Sequence, residues 1–119
     1  MSVFSFGFSK APKSVLALSE EYGINLEDVD IFLIHQANHY LNEKVRKKLD
    51  VPESKAPYSM QDYGNPGSSS IPLTLVTQCG DSYRQKSLKT IAVGFGVGLA
   101  WGSVYFKTDR IVCPPLYMI

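Results

Sequence analysis

The arrangement of apolar and polar residues along the chain predicts a succession of helices and short strands. Residues 31–34 form a continuous apolar run, which is typical of a strand that is covered on both faces. Residues 11–22 and 38–49 instead carry apolar side chains at helical spacing. Ser9 is the expected N-cap of the first helix, because Pro12 then falls in the first turn, where its missing amide hydrogen costs nothing. This part of the chain therefore predicts a helix, a buried strand and an amphipathic helix.

The rest of the chain alternates in the same way but contains more glycine and proline. A helical pattern follows a polar loop, and two apolar segments flank a glycine-rich stretch at the distance of a hairpin. These patterns predict a strand at 56–60, a loop at 61–67, a helix at about 68–83, strands at 90–95 and 99–107, and an irregular tail at 110–119. The serines at 68–70 are expected to cap the third helix.

The predicted order of elements, α-β-α-β-α-β-β, indicates a layered α/β fold with a mixed sheet. Crossovers from strand to helix to strand favour parallel neighbours, whereas the final hairpin must be antiparallel. Four short strands and three helices leave one face or edge of the sheet without an obvious cover. We therefore expect the chain to expose strand edges when it stands alone.

Composition and charge narrow the class of protein. The 119 residues are 45% hydrophobic, and 12 Lys+Arg against 11 Asp+Glu give a formal charge of +1, which favours neither nucleic acid nor an anionic membrane as a partner. The longest apolar stretch, residues 91–104, is broken by glycines and is too short to span a bilayer. Two distant cysteines match neither a zinc site nor a disulfide framework. The sequence predicts a soluble, cytoplasmic protein.

His35 and Asn65 are the residues best suited to chemistry. His35 ends the buried strand and Asn65 lies in a glycine- and proline-containing loop before a helix, which is where α/β sheets usually build their sites. A neutral imidazole and a carboxamide can both donate hydrogen bonds to one oxygen atom, so the pair could stabilise an enolate or oxyanion. On spacing alone, a strand-end histidine and an asparagine in a turn remain the simpler interpretation.

Other candidate motifs favour structural interpretations. The sequence GFGVG at 94–98 lies between two strands, so no helix N-terminus is available to bind a phosphate, although a backbone amide near Val97 could act as a donor. Cys79 lies within a helical pattern and Cys113 lies in the tail, and neither has the surroundings of a nucleophile. His39 follows His35 across a change from strand to helix, which breaks the geometry that a metal pair needs.

Three sequence motifs occur in order along the chain. They are HQAN at 35–38, YGN at 63–65 followed by SIPL at 70–73, and GFGVGLAWG at 94–102. Together they closely resemble the C-terminal half of β-ketoacyl-acyl carrier protein synthase III, over nearly the whole chain.

The resemblance implies a thiolase-like fold, with the C-terminal domain of that family at residues 1–108 and an irregular tail at 109–119. In this family two similar α/β halves pack into a five-layered body, and a cysteine of the N-terminal half is acylated. The nucleophile is then expected to lie outside this chain.

The resemblance also implies roles for individual residues. His35 and Asn65 match the histidine and asparagine that hold the malonyl thioester carbonyl while decarboxylation generates an enolate, which attacks the acyl-cysteine in a Claisen condensation. Val97 matches a position whose backbone amide serves a second oxyanion hole. Phe95 matches an aromatic residue near the acyl site, and Asn38 matches a supporting asparagine.

Substrates and partners follow from the same resemblance. It implies no bound cofactor, and acyl-CoA with malonyl-ACP or malonyl-CoA as substrates. The expected partners are an N-terminal half or other cysteine-bearing chain, and an acyl carrier protein or coenzyme A thioester. An exposed apolar helix face is expected to make the isolated chain self-associate, so we also expect a homo-oligomer.

Two departures from the family leave alternatives open. Tyr40 stands where well-known members carry an arginine that helps bind the carrier, and Pro66 and Gly67 stand where threonine and serine are common. The leading hypothesis is the C-terminal catalytic portion of a synthase III-like acyltransferase. The alternatives are a non-catalytic thiolase-like partner subunit, or a relative that transfers acyl groups to an oxygen or nitrogen nucleophile.

Overall fold

The computed structural model describes residues 3–96 and 100–119, which form a three-stranded sheet with helices on both faces. The helices are α1 (Val3–Tyr22), α2 (His39–Lys48), α3 (Met60–Tyr63) and α4 (Ser70–Gln85). The strands are β1 (Ile31–Ile34), β2 (Ser87–Gly96) and β3 (Ala100–Asp109). Single turns of 3-10 helix cover Leu26–Asp28, Glu53–Lys55 and Gly67–Ser69.

The sheet is mixed and its strands lie in the order β1-β2-β3. β1 runs parallel to β2, with Ile31 opposite Thr90, and β2 runs antiparallel to β3, with Gly96 opposite Ala100. The hydrogen bonding continues one residue beyond β1, since the His35 amide donates to the Val93 carbonyl at 3.0 Å. The predicted layered α/β fold with a mixed sheet is confirmed.

The sheet buries apolar side chains on both faces. Because successive side chains of a strand point to opposite faces, Phe32 and Ile34 enter one apolar cluster while Ile31 and Leu33 enter another. Residues of α1 and α2 complete the first cluster, whereas Cys79 and Tyr83 of α4 complete the second. The four-residue run is thus buried throughout, as its composition predicted.

Helix α1 is longer than the sequence predicted. It begins at Val3 rather than near residue 11, so Ser9 lies within the helix and is not its N-cap. Pro12 also lies in the interior, where a proline removes one backbone hydrogen bond. Burial of the neighbouring Ala11 and Val15 at 0% exposure provides apolar packing that offsets this loss.

The predicted strand at 56–60 is wrong, so the described part of the chain has three strands rather than four. Pro57 has no amide hydrogen to give to a neighbouring strand. The amides of Ser59 and Met60 donate to the Gln36 side chain instead, and Met60 begins the short helix α3. A side chain therefore replaces the strand partner that this segment would need.

The remaining elements follow the sequence closely. Helix α2 and the two final strands are found within a few residues of their predicted ends, and the third predicted helix becomes a 3-10 turn followed by α4. Residues 111–119 contain no helix or strand, yet the Ile111 amide donates to the Tyr83 carbonyl at 3.0 Å and Cys113 is buried. β3 forms one edge of the sheet and exposes Trp101 and Val104.

Candidate functional site

His35 leaves the sheet at the C-terminal end of β1. The strand is buried on both faces and its parallel pairing with β2 extends to the His35 amide, so the backbone at this position is fixed. The imidazole meets the ring of Phe95 edge-on, with ring centroids 5.4 Å apart and planes at 85°. Phe95 itself is buried at the end of β2. Two neighbouring strand ends therefore hold the histidine ring.

A cavity of about 510 Å³ opens beside these rings. Its lining combines the end of β1, the loop before α4, the start of α4 and the end of β2. The lining residues are His35, Ala37, Asn65, Gly67, Ser68, Ser70, Ile71, Gly94, Phe95 and Gly96. Three predicted site residues, His35, Asn65 and Phe95, thus face one cavity.

Asn65 is held by a turn of its own loop. Its side-chain oxygen accepts a hydrogen bond from the Gly67 amide at 3.1 Å. Gly64 and Gly67 adopt φ values of +64° and +68°, a region that L side chains rarely enter, and they let the loop turn on both sides of Asn65. Since the amide oxygen is engaged, the NH₂ group is left as the donor that Asn65 can offer to a ligand.

The His35 imidazole is neutral near pH 7. Burial lowers the pKa of His35 from its ordinary value of 6.5, because desolvation disfavours the charged ring. Its Nδ1 lies 2.6 Å from the hydroxyl oxygen of Ser70, the first residue of α4. A neutral imidazole at this position can act as a hydrogen-bond donor without being a strong acid.

A buried polar network supports both sides of the cavity. Gln36 is fully buried, and its Oε1 accepts from the amides of Ser59 at 2.9 Å and Met60 at 3.2 Å. Its Nε2 donates to the Ile34 carbonyl at 2.8 Å. Gln36 therefore ties the strand that carries His35 to the segment that leads into the Asn65 loop.

Sequence reasoning gave Gln36 and Ser70 no role in the site. Both residues belong to the motifs HQAN and SIPL, but Gln36 was given no partner there, and a buried polar side chain needs one. Ser70 was the third of three successive serines that were expected to cap a helix. The structure buries Ser70 at 1% exposure and leaves Ser68 and Ser69 exposed, a difference that the run of serines does not reveal.

Two other predicted site residues have different positions. Asn38 is the N-cap of α2, where its side-chain oxygen accepts from the Leu41 amide at 2.8 Å, and it does not line the cavity. Val97 lies outside the described residues. The structure thus places Asn38 in support of the helix that follows His35, and the role of Val97 stays a prediction.

The two cysteines lie away from the cavity. Cys79 and Cys113 are both buried and unpaired, and neither contributes to the cavity lining. Burial raises the pKa of the Cys79 thiol to about 11, so little thiolate forms at neutral pH. The surroundings of Cys79 therefore do not activate it as a nucleophile.

The described ranges, 3–96 and 100–119, contain neither a metal-binding cluster nor a membrane-spanning helix. Within them no group of three or more histidine, cysteine or acidic side chains is placed to hold a metal ion. No helix in this part of the chain is long and apolar enough to cross a bilayer.

Comparison with known proteins relates the chain to one family. Residues 19–108 match the family model described as 3-oxoacyl-[acyl-carrier-protein (ACP)] synthase III C terminal. The β-ketoacyl-[acyl-carrier-protein] synthase III 1 of Halalkalibacterium halodurans is 36% identical over 108 residues, which cover 91% of this chain and 35% of that protein. The synthase III of Streptococcus pyogenes is 37% identical over 108 residues, covering 89% of this chain and 33% of that protein.

A solved structure gives the same relationship. The 3-oxoacyl-(acyl-carrier protein) synthase of Burkholderia xenovorans LB400 aligns with a TM-score of 0.88 and 31% sequence identity, over 92% of this chain and 31% of that one. The chain therefore spans about a third of the length of the relatives that it matches.

Proposed function

Because this chain belongs to the 3-oxoacyl-[acyl-carrier-protein] synthase III family, whose C-terminal part it matches, we propose that it carries the residues that activate a malonyl thioester in a decarboxylative Claisen condensation. The observation that carries the proposal is the shared cavity of His35 and Asn65. Both side chains can donate a hydrogen bond there, and neither carries a charge near pH 7.

In the proposed reaction the malonyl thioester loses its carboxylate as CO₂. The electron pair of the broken carbon–carbon bond forms an enolate, whose negative charge develops on the thioester oxygen. His35 and Asn65 donate hydrogen bonds to that oxygen, and such donors stabilise developing charge most strongly where water is excluded. The apolar ring of Phe95 packs against the His35 ring.

The carbon–carbon bond then forms at a second centre. The enolate carbon attacks the thioester carbonyl of an acyl-cysteine, and the cysteine thiolate leaves as the 3-oxoacyl thioester is released. Since neither cysteine of this chain lines the cavity, we assign the acylated cysteine to an N-terminal half or partner chain. The carrier of the malonyl group is an acyl carrier protein or coenzyme A, and no bound cofactor takes part in the proposed steps.

The decisive experiment measures decarboxylation after removal of each donor. This chain is mixed with a cysteine-bearing N-terminal half, and release of labelled CO₂ from malonyl-CoA and malonyl-ACP is followed. We expect His35→Ala and Asn65→Ala each to lower the rate by about 10²- to 10³-fold, the usual loss when one oxyanion donor is removed.

Two control variants match these substitutions. His39→Ala removes the other histidine, whose ring packs against Tyr58 outside the cavity. Asn25→Ala removes an exposed asparagine whose side chain accepts from the Glu27 amide at 3.0 Å, much as Asn65 accepts from Gly67. Both controls should retain the full rate. Equal rates for all four variants would contradict the proposal and favour a non-catalytic partner subunit.

A further inference from the structure

The Ser70 hydroxyl contacts two nitrogen atoms, Nδ1 of His35 and the backbone amide of Gln36. The hydroxyl oxygen lies 2.6 Å from His35 Nδ1 and 3.3 Å from the backbone amide nitrogen of Gln36. The amide can only donate, so it occupies a lone pair of the hydroxyl oxygen. Among the hydrogen bonds of residues 3–96 and 100–119, the other nitrogen within bonding distance of this hydroxyl is His35 Nδ1.

We propose that Ser70 is a positioning residue, whose hydroxyl donates to Nδ1 of His35 and thereby holds the imidazole in the tautomer that carries its hydrogen on Nε2. A neutral imidazole has one N–H, so an accepting Nδ1 requires a donating Nε2. Because Nδ1 faces a serine that is only 1% exposed, Nε2 is the ring nitrogen available to the cavity. The inference rests on the proposed function, in which His35 donates to the thioester oxygen.

The surrounding network fixes the serine in place. The Ser70 carbonyl accepts from the Thr74 hydroxyl at 2.7 Å, and Thr74 pairs with the Ser59 hydroxyl at 2.7 Å. Ser59 and Thr74 are both fully buried. The Ser59 backbone amide donates to the side-chain oxygen of Gln36, and the Gln36 backbone amide donates to the Ser70 hydroxyl. Ser70 is thus held through its hydroxyl and its carbonyl, and its proton is directed at His35.

The test reads the tautomer directly and needs no activity. The full chain is labelled with ¹⁵N-histidine, and the two ring nitrogens of each histidine are identified by long-range proton–nitrogen NMR at neutral pH. His39→Gln assigns the signals, since His35 and His39 are the two histidines of the chain. We expect His35 to show a protonated Nε2 and a bare Nδ1. A protonated Nδ1 in the wild-type chain would overturn the proposal.

Variants connect the tautomer to the serine. Ser70→Ala should move His35 to the mixture of tautomers found for free histidine, whereas Ser69→Ala, an exposed neighbour in the same run, should leave it unchanged. An unchanged tautomer in a folded Ser70→Ala chain would also contradict the proposal. The wild-type spectrum decides the question if the Ser70→Ala chain does not fold.

Kinetics separate this inference from the proposed function. Ser70→Ala should lower the rate of decarboxylation by about tenfold, as expected for one hydrogen bond. In a chain that already carries His35→Ala, it should cause no further loss of rate. If His35→Ala leaves decarboxylation unchanged while NMR shows the Nε2–H tautomer, the proposed function fails and the role of Ser70 stands. If decarboxylation depends on His35 but the tautomer is the opposite one, the role of Ser70 fails alone.

Discussion

Replacing Gln36 by methionine should destabilise the folded chain strongly, although the two side chains have similar volume. The substitution removes three hydrogen bonds, to the Ile34 carbonyl and to the amides of Ser59 and Met60. Each bond contributes about 1 kcal/mol net, and the bonds to Ile34 and Ser59 are buried, so we expect the free energy of unfolding to fall by about 3 kcal/mol. The apolar methionine restores packing but none of these partners.

Urea unfolding of the full chain, followed by circular dichroism, measures this loss. Gln61→Met is the matched control, because Gln61 is exposed and donates a single bond to the Tyr58 carbonyl. We expect the control to change the free energy of unfolding by less than about 0.5 kcal/mol. A loss below about 1 kcal/mol for Gln36→Met, with an unchanged urea slope, would refute the account of the network.

Three further predictions concern Tyr83, Cys79 and His35. Tyr83→Phe removes the buried bond between the tyrosine hydroxyl and Thr90, 2.5 Å long, and should cost about 1–2 kcal/mol of unfolding free energy, while Tyr22→Phe at an exposed site should cost almost nothing. The Cys79 thiol, with a pKa of about 11, should react with Ellman's reagent at pH 8 only on unfolding; rapid reaction of the native chain would contradict its burial. Because the pKa of His35 is lower when folded, its contribution to stability is complete above the ordinary pKa of 6.5 and is lost as the pH falls below it. Urea midpoints at pH 7.5 and 5.5 should therefore differ more for the wild-type chain than for His35→Gln, and equal differences would count against this assignment.

The sequence predicted the elements whose apolar patterns are simple. The continuous apolar run at 31–34 indicated a strand that is buried on both faces. The apolar residues at helical spacing in 38–49 indicated a helix that is buried on one face, and the two patterns are easily told apart. The same reasoning placed His35 at a strand end and Asn65 in a loop, and both line the cavity.

Long-range partners limited the rest of the prediction. The segment at 56–60 was wrongly predicted as a strand because its apolar content does not reveal that Gln36, more than twenty residues earlier, binds its amides. The start of α1 was predicted too far along the chain because Pro12 was expected in the first turn of the helix. Apolar burial around Pro12 compensates for the backbone hydrogen bond that the proline removes, and the sequence does not show that burial. The SIPL motif includes Ser70, but its contact with His35 was missed because the contact depends on burial that only the fold reveals.

Reconstitution of the condensation tests the central claim most directly. This chain is combined with the separately expressed N-terminal part of a synthase III relative, and the complex is isolated. That part is about two thirds of the relative and includes its cysteine. Acyl-CoA and malonyl-ACP are added, and the 3-oxoacyl thioester is measured by mass spectrometry. The account predicts product only when both components are present, with loss of the product in His35→Ala. A properly folded complex that forms no product would contradict it.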